Sequence, residues 1–221
     1  MNLLLNGAIK LVLGIALIGV LLFLPAWTIN YPYAWLFICL LFVPMVIMGI
    51  VLFVKAPKLL EKRLNSKEKQ KTQKGVKKLL GLMFLVGFVL CALDFRFAWS
   101  KVPLWLVIVS SVLFELGYLM YAEVMRENAY LSRTVEVEEN QKVVSTGLYG
   151  IVRHPMYLAT LFMFLPLPLI LGSFWGLIPF SLYLVAIVVR IINEEKVLTN
   201  ELDGYKEYKK KTKYRLIPFI W

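Results

Sequence analysis

The chain has 221 residues, 60% of them hydrophobic, and a mean hydropathy of +0.72. This composition excludes an ordinary soluble domain and predicts one compact membrane domain. The formal net charge of +11 would suit nucleic-acid binding. The basic residues, however, are concentrated between apolar runs, where they predict membrane topology instead. We therefore expect no nucleic-acid partner.

Four apolar runs in the first 125 residues predict membrane-spanning helices. They cover residues 11–29, 33–54, 79–97 and 103–125, and each has about the length that a bilayer core requires. The segment between the second and third runs, residues 55–78, contains ten Lys or Arg residues and only two acids. We expect this segment to lie outside the hydrocarbon core, at the membrane surface.

Two further apolar stretches, residues 156–175 and 176–192, predict a C-terminal helical hairpin. Its first arm is short, because residues 156–171 extend only about 24 Å at 1.5 Å per residue. A polar, basic tail begins at residue 193. The predicted fold is therefore all-α and integral to the membrane, with five to six membrane helices that include this hairpin, and with a cytosolic C-terminal segment.

The basic residues also predict the orientation. If the N-terminus is cytosolic and each run crosses the bilayer once, 23 of the 25 Lys and Arg residues lie on the cytosolic side, which is the positive-inside pattern. Only Arg96 and Lys101 remain outside. We expect a multi-pass protein whose two termini are both cytosolic.

The segment that precedes the last two apolar stretches has an ambiguous pattern. In residues 133–138 the side chains alternate as in a β-strand, and several are β-branched. Residues 139–141 can form a turn, and residues 142–145 can form the returning strand. A small β-hairpin over the site fits this pattern. An ordered loop without strands fits it equally well.

A polar turn at residues 147–157, with the sequence GLYGIVRHPMY, is the candidate site. It contains the only histidine of the chain, His154, next to Arg153. The helical hairpin would return three charged residues to the same membrane level: Arg190, Glu194 and Glu195. A polar turn of this composition is an unusual connection between two membrane segments, so we interpret it as functional.

The residue types narrow the chemistry of this cluster. With one histidine and no cysteine pair, a transition-metal site is not expected, and no Rossmann or P-loop glycine motif occurs. Arg or His can hold a carboxylate, Glu can accept hydrogen bonds from an amine or a ribose, and a tyrosine ring can lie near a sulfonium. The cluster therefore fits a zwitterionic cofactor with a cationic centre.

Each of these residues also has a purely structural interpretation. Arg153 and His154 can be basic residues at the membrane surface, and Arg190 and Glu194 can form an ordinary helix pair four residues apart. The tyrosines can be interface anchors. Glu115 lies within the fourth run, where an ionisable residue is costly; it either joins the site or pairs with another span.

Two blocks of sequence resemble one enzyme family. Residues 147–157 resemble the G-x-Y-x-x-x-R-H-P-x-Y signature of the isoprenylcysteine carboxyl methyltransferase family and its phospholipid methyltransferase relatives, with Leu148 where many members have proline. The second block comprises Arg190, Glu194, Glu195, Tyr205, Tyr208 and residues 215–218. Residues 134–147 resemble the bacterial branch in particular, which implies a bacterial cytoplasmic membrane.

The resemblance implies an integral membrane methyltransferase that uses S-adenosylmethionine. It implies a single domain over residues 1–221, with four spans in residues 1–125 and the catalytic core in residues 126–221. Arg190 and Glu195 are the catalytic candidates near the transferred methyl group, and no metal is implied. The implied cofactor-binding residues are Gly147, Tyr149, Val152, Arg153, His154, Pro155, Tyr157, Glu194, Glu195 and Tyr208.

The acceptor implied by the resemblance is a lipid or a lipophilic small molecule that carries a carboxylate, an amine or a thiol and arrives from the bilayer. We expect it to enter between apolar spans near residues 156–165, while residues 205–221 cover the cofactor from the cytosol. Two alternatives remain open. One is an NADPH-dependent sterol-type reductase, since those enzymes share the R-H-P-x-Y turn, and the other is a non-enzymatic membrane scaffold.

Overall fold

The computed structural model describes residues 3–64, 71–131, 137 and 140–221, without the side chains of residues 71 and 72. Within these ranges the chain is helical and has no strand. The helices are α1 (Leu3–Ala26), α2 (Pro32–Lys55), α3 (Pro57–Leu64), α4 (Lys71–Phe97), α5 (Leu104–Glu127), α6 (Leu148–Ile151), α7 (Pro155–Phe164), α8 (Leu167–Ile170), α9 (Leu177–Glu201) and α10 (Tyr205–Lys211). Most of the first arm of the β-hairpin, residues 133–138, lies outside the described residues, so the hairpin remains a prediction.

Five of the described helices are long and apolar enough to cross a membrane. They are α1, α2, α4 from Gln73, α5 and α9, and a shorter apolar segment covers Pro155–Ile170. Long runs of apolar side chains form these helices because, in a bilayer, every backbone polar group must be satisfied within its own segment. The predicted all-helical, multi-pass membrane fold is confirmed.

The short α7–α8 segment crosses the bundle from one end to the other. Just after α8, the Ser173 hydroxyl donates to Asp94 Oδ2 at 2.5 Å, and the Tyr31 hydroxyl donates to the Leu171 carbonyl at 2.6 Å. Asp94 lies near the end of α4, and Tyr31 precedes α2. We call this end of the bundle the far end, and the end that holds residues 147–157 the site end. Because α9 then returns to the site end, the C-terminal helical hairpin is confirmed.

Several chain segments lie together at the site end. Lys10 Nζ in α1 donates to the Leu64 carbonyl of α3 at 2.5 Å, and Lys62 Nζ lies 5.9 Å from the ring centroid of Tyr130, just after α5. At the far end, the guanidinium carbon of Arg96 lies 5.6 Å from the centroid of the Trp27 ring. Lys10 and Lys62 therefore lie at the site end and Arg96 at the far end, as the charge pattern predicts. Which end faces the cytosol remains a prediction.

Helices α5 and α7 pack closely at a glycine. A side chain added at Gly117 would place its Cβ atom 2.8 Å from the Ala159 carbonyl oxygen and 2.7 Å from Met163 Cγ. Ala159 is fully buried in this contact. The expected acceptor entrance near residues 156–165 is therefore closed on the side that faces α5, because only a glycine allows the two backbones to approach so closely.

Candidate functional site

A cleft opens at the site end of the bundle, and we call it the site cleft. It contains about 830 Å³ of empty space, part of it open to solvent. Its walls come from the end of α5, residues 141–144, the 147–157 turn, α9 and α10. The residues that line it are Asn128, Tyr130, Leu131, Gln141, Lys142, Val143, Val144, Tyr149, Arg153, His154, Pro155, Met156, Tyr157, Arg190, Glu194, Leu198, Leu202, Tyr205 and Tyr208.

The end of α5 holds the start of the turn. The Leu148 backbone N–H donates to Glu127 Oε2 at 3.2 Å, and Asn128 Nδ2 donates to the Tyr149 hydroxyl at 2.8 Å. Gly147 has a φ of +50°, and a Cβ atom there would overlap the Glu127 carboxylate. Glycine is therefore required at this position both by its backbone conformation and by its neighbour.

Arg153 and Glu195 form the buried charged centre beside the cleft. Arg153 Nε donates to Glu195 Oε1 at 2.6 Å, and Arg153 Nη1 donates to the carbonyls of Thr212 at 2.8 Å and Lys213 at 2.7 Å. The other carboxylate oxygen, Oε2, accepts from Arg215 Nε at 2.9 Å. A buried charge of either sign is tolerated only when it is paired and hydrogen-bonded, and both residues meet that condition.

The backbone of the tail runs directly against the turn. The backbone N–H groups of Arg153 and His154 donate to the carbonyls of Tyr214 and Arg215, each at 2.9 Å. The Tyr208 hydroxyl donates to the Tyr149 carbonyl at 2.7 Å. Burial raises the pKa of the Tyr208 phenol to about 12, so it remains protonated and able to donate at neutral pH. The tail is therefore fastened over the site by its own hydrogen bonds.

Tyr157 links the two charged residues of α9 that line the cleft. Arg190 Nε donates to the Tyr157 hydroxyl at 2.7 Å, and that hydroxyl donates to the Glu194 carboxylate. The Glu194 side chain retains 23% exposure. One buried phenol thus fixes a cation and a carboxylate side by side on the cleft wall.

Two polar atoms on the cleft wall have no hydrogen-bond partner among the described residues. They are His154 Nε2 and the Tyr205 hydroxyl, and both side chains are buried. His154 Nε2 lies 3.4 Å from Glu195 Oε1, but this contact does not have the geometry of a hydrogen bond. Buried polar groups in folded proteins are nearly always paired, so these two atoms are available to a bound water or ligand.

The structure brings together most of the residues that the sequence selects. Eight of them line the site cleft: Tyr149, Arg153, His154, Pro155, Tyr157, Arg190, Glu194 and Tyr208. Gly147 and Val152 lie behind the wall, Gly147 against Glu127 and Val152 with 2% exposure. Glu195 lies beside the cleft, and its expected catalytic role stays a prediction. It does not line the cleft, because Arg153 and Arg215 hold both of its oxygens.

Sequence reasoning does not select Glu127, Asn128 or Tyr205 as site residues. Glu127 and Asn128 resemble an ordinary polar helix end, and Tyr205 belongs to the second sequence block but is not selected there as a binding residue. Glu115 does not line the site cleft. It lies with Leu40 and Ser111 in a separate groove between α2 and α5.

Residues 105–204 match the family model described as Phospholipid methyltransferase. This segment is therefore similar to the phospholipid methyltransferase family. The match includes α5 from its second residue, all of α9 and all of the 147–157 turn, so the resemblance drawn from the sequence is confirmed at the level of the family. It ends before α10, which leaves Tyr205, Tyr208 and the tail beyond it. No curated protein matches the chain.

Proposed function

We propose that this protein transfers the methyl group of S-adenosylmethionine to a lipophilic acceptor at the membrane surface. The observation that carries the proposal is the pair of α9 residues, Arg190 and Glu194, joined through Tyr157 on the wall of the site cleft. The family of residues 105–204 supports methyl transfer as the reaction. The apolar helices around the cleft support an acceptor that arrives from the bilayer.

The residues of the cleft fit the parts of this cofactor. Arg190 and Lys142 can hold a carboxylate, and Glu194 can accept hydrogen bonds from an amine or from ribose hydroxyls. The unpartnered Nε2 of His154 offers one more polar contact. When bound, the cofactor supplies a methyl group on a positively charged sulfur.

The protein contributes position and charge. Tyr157 fixes both Arg190 and Glu194, so neither needs to reorganise when the reactants are bound, and preorganised groups of this kind lower barriers most effectively. Glu195 acts as a positioning residue, because it holds Arg153 of the turn and Arg215 of the tail. The tail excludes water from one side of the cleft.

The membrane orientation follows from the same proposal. With the site end cytosolic, the basic segments obey the positive-inside rule and the cleft meets a water-soluble cofactor. Phe219 and Ile220 at the end of the tail are 87% and 77% exposed. Such residues suit the boundary between headgroups and acyl chains, so the tail would cover the cleft while its tip rests on the bilayer.

The proposal is tested by adding radiolabelled S-adenosylmethionine and a total lipid extract to the purified protein in nanodiscs. We expect label in an organic-soluble fraction, and roughly a 100-fold slower transfer for Arg190→Ala, because misplaced reacting groups lose about that factor. Glu201→Gln is the matched control, since Glu201 is an exposed acid at the end of the same helix. Absence of label together with lipid-dependent NADPH oxidation would favour the reductase.

A further inference from the structure

Tyr205 has a buried hydroxyl that the fold itself does not use. The residue is 3% exposed, and its hydroxyl has no hydrogen-bond partner among the described residues. It begins α10 and lines the site cleft. Leaving a hydroxyl buried and unpaired is destabilising, so its presence at the cleft wall needs an explanation outside the folded chain alone.

Tyr208, three residues later on the same short helix, provides the contrast. It is buried to a similar degree, at 6% exposure, and its ring centroid lies 5.7 Å from that of Tyr205. Its hydroxyl donates to the Tyr149 carbonyl at 2.7 Å. Both rings pack in the same small apolar cluster with Leu202. Packing therefore accounts for both rings, but only the Tyr208 hydroxyl has a structural role.

The surroundings of Tyr205 define what its hydroxyl can bind. Burial, followed by the carboxylates of Glu195 and Glu194, raises the pKa of the Tyr205 phenol well above its ordinary value. The hydroxyl therefore stays protonated at neutral pH and is available as a donor. At this hydroxyl the two carboxylates outweigh the opposing charge of Arg153, which disfavours an anionic group, so the acceptor atom should be uncharged.

We propose that Tyr205 is a ligand-binding residue whose hydroxyl donates a hydrogen bond to an uncharged acceptor atom in the nucleoside part of the bound cofactor. This inference rests on the proposed function, which supplies a ligand with such a nucleoside. It assigns the tail a direct binding contact in addition to its covering role. The adenine ring nitrogens and the ribose oxygens are the acceptors of the required kind.

The test compares Tyr205→Phe with Tyr208→Phe in the full-length protein in nanodiscs. Each variant keeps the ring and removes one hydroxyl. Calorimetry would measure Kd for S-adenosylhomocysteine and for 5′-methylthioadenosine, which keeps the nucleoside but lacks the amino acid part. Thermal unfolding without ligand would measure Tm.

We expect Tyr205→Phe to raise Kd about tenfold for both ligands, because the variant loses one good hydrogen bond to the ligand. Its Tm without ligand should be equal to or higher than that of the wild type, because the unpaired hydroxyl has been removed. Tyr208→Phe should lower Tm, because the Tyr149 carbonyl loses its donor. This opposite pair of stability effects separates a binding hydroxyl from a structural one.

Three results would overturn the inference. The first is an unchanged Kd for both ligands in Tyr205→Phe while the wild type binds them, which would leave the proposed function intact. The second is a loss of affinity for S-adenosylhomocysteine alone, which would place the contact on the amino acid part. The third is a wild type that binds neither ligand, which would also overturn the proposed cofactor.

Discussion

Arg153 and Glu195, 42 positions apart in the sequence, form a buried ion pair in which Arg153 Nε lies 2.6 Å from Glu195 Oε1. Their side chains are 6% and 4% exposed. Glu195 also accepts from Arg215, and Arg153 also donates to two carbonyls of the tail. This one pair therefore joins the turn, helix α9 and the tail into a single unit.

Glu195→Ala should destabilise this unit strongly, because it leaves Arg153 buried without its counter-charge. Removing one partner of a buried pair costs about 3–5 kcal/mol, and we expect affinity for S-adenosylhomocysteine to fall at least about tenfold, or roughly 1.4 kcal/mol. Chemical unfolding and calorimetry would measure the two effects. Glu201→Ala is the control. If the two variants had equal stability and equal affinity, the Arg153–Glu195 pair would have no role in folding or binding.

Gly147→Ala should distort the start of the turn. A non-glycine residue at a φ of +50° is strained by about 1–3 kcal/mol, and the added Cβ atom would also displace the Glu127 carboxylate. Thermal unfolding should show a lower Tm, with weaker binding of S-adenosylhomocysteine.

Gly81→Ala is the matched control for that change. Gly81 lies in α4 with nothing within 4 Å of an added Cβ atom, so alanine there should be neutral or stabilising by up to about 1 kcal/mol. If the two alanine variants unfolded at the same temperature, the contact between Glu127 and Gly147 would not matter to the fold.

Deletion of residues 205–221 should abolish binding of S-adenosylhomocysteine. It removes Tyr205 and Tyr208 from the cleft wall and leaves Arg153 without the tail carbonyls. A double Ser substitution at Phe219 and Ile220 should leave binding in detergent unchanged, because both side chains are exposed. Binding by the deleted protein with wild-type affinity would show that the tail is not part of the site.

Cysteine-accessibility labelling tests the orientation. Single cysteines at Lys58 and Lys210 should react from the same side of the membrane, and a cysteine at Lys101 from the opposite side. All three positions are exposed, and the native Cys39 and Cys91 would first be replaced. Labelling of Lys58 and Lys210 from opposite sides would contradict the topology.

Sequence reasoning predicts the spans and the turn well, because both depend on local composition. Long apolar runs determine the membrane helices, and residues 147–157 form a contiguous motif. Sequence reasoning does not predict which of the two adjacent acids, Glu194 or Glu195, faces the site cleft. Neighbours on a helix point about 100° apart at 3.6 residues per turn, so the choice between Glu194 and Glu195 depends on how α9 is rotated against α7.

Contacts between segments that are distant in the chain also cannot be predicted from the sequence. The bond between Glu127 and the turn depends on where α5 ends, and the engagement of Glu195 by Arg215 depends on the path of the tail. The two tyrosines of α10 look equivalent in the sequence. Only their surroundings distinguish the hydroxyl that bonds to the Tyr149 carbonyl from the one that has no partner among the described residues.

The most direct measurement of the central claim is a titration of the wild-type protein and of His154→Ala with S-adenosylhomocysteine, with NADPH as the competing candidate. We predict that the wild type binds S-adenosylhomocysteine and not NADPH. His154→Ala should remain folded, because the backbone makes its bond to the tail, and should bind at least about tenfold more weakly, or roughly 1.4 kcal/mol. A wild type that binds NADPH and not S-adenosylhomocysteine, or a folded His154→Ala variant with unchanged affinity, would contradict the account.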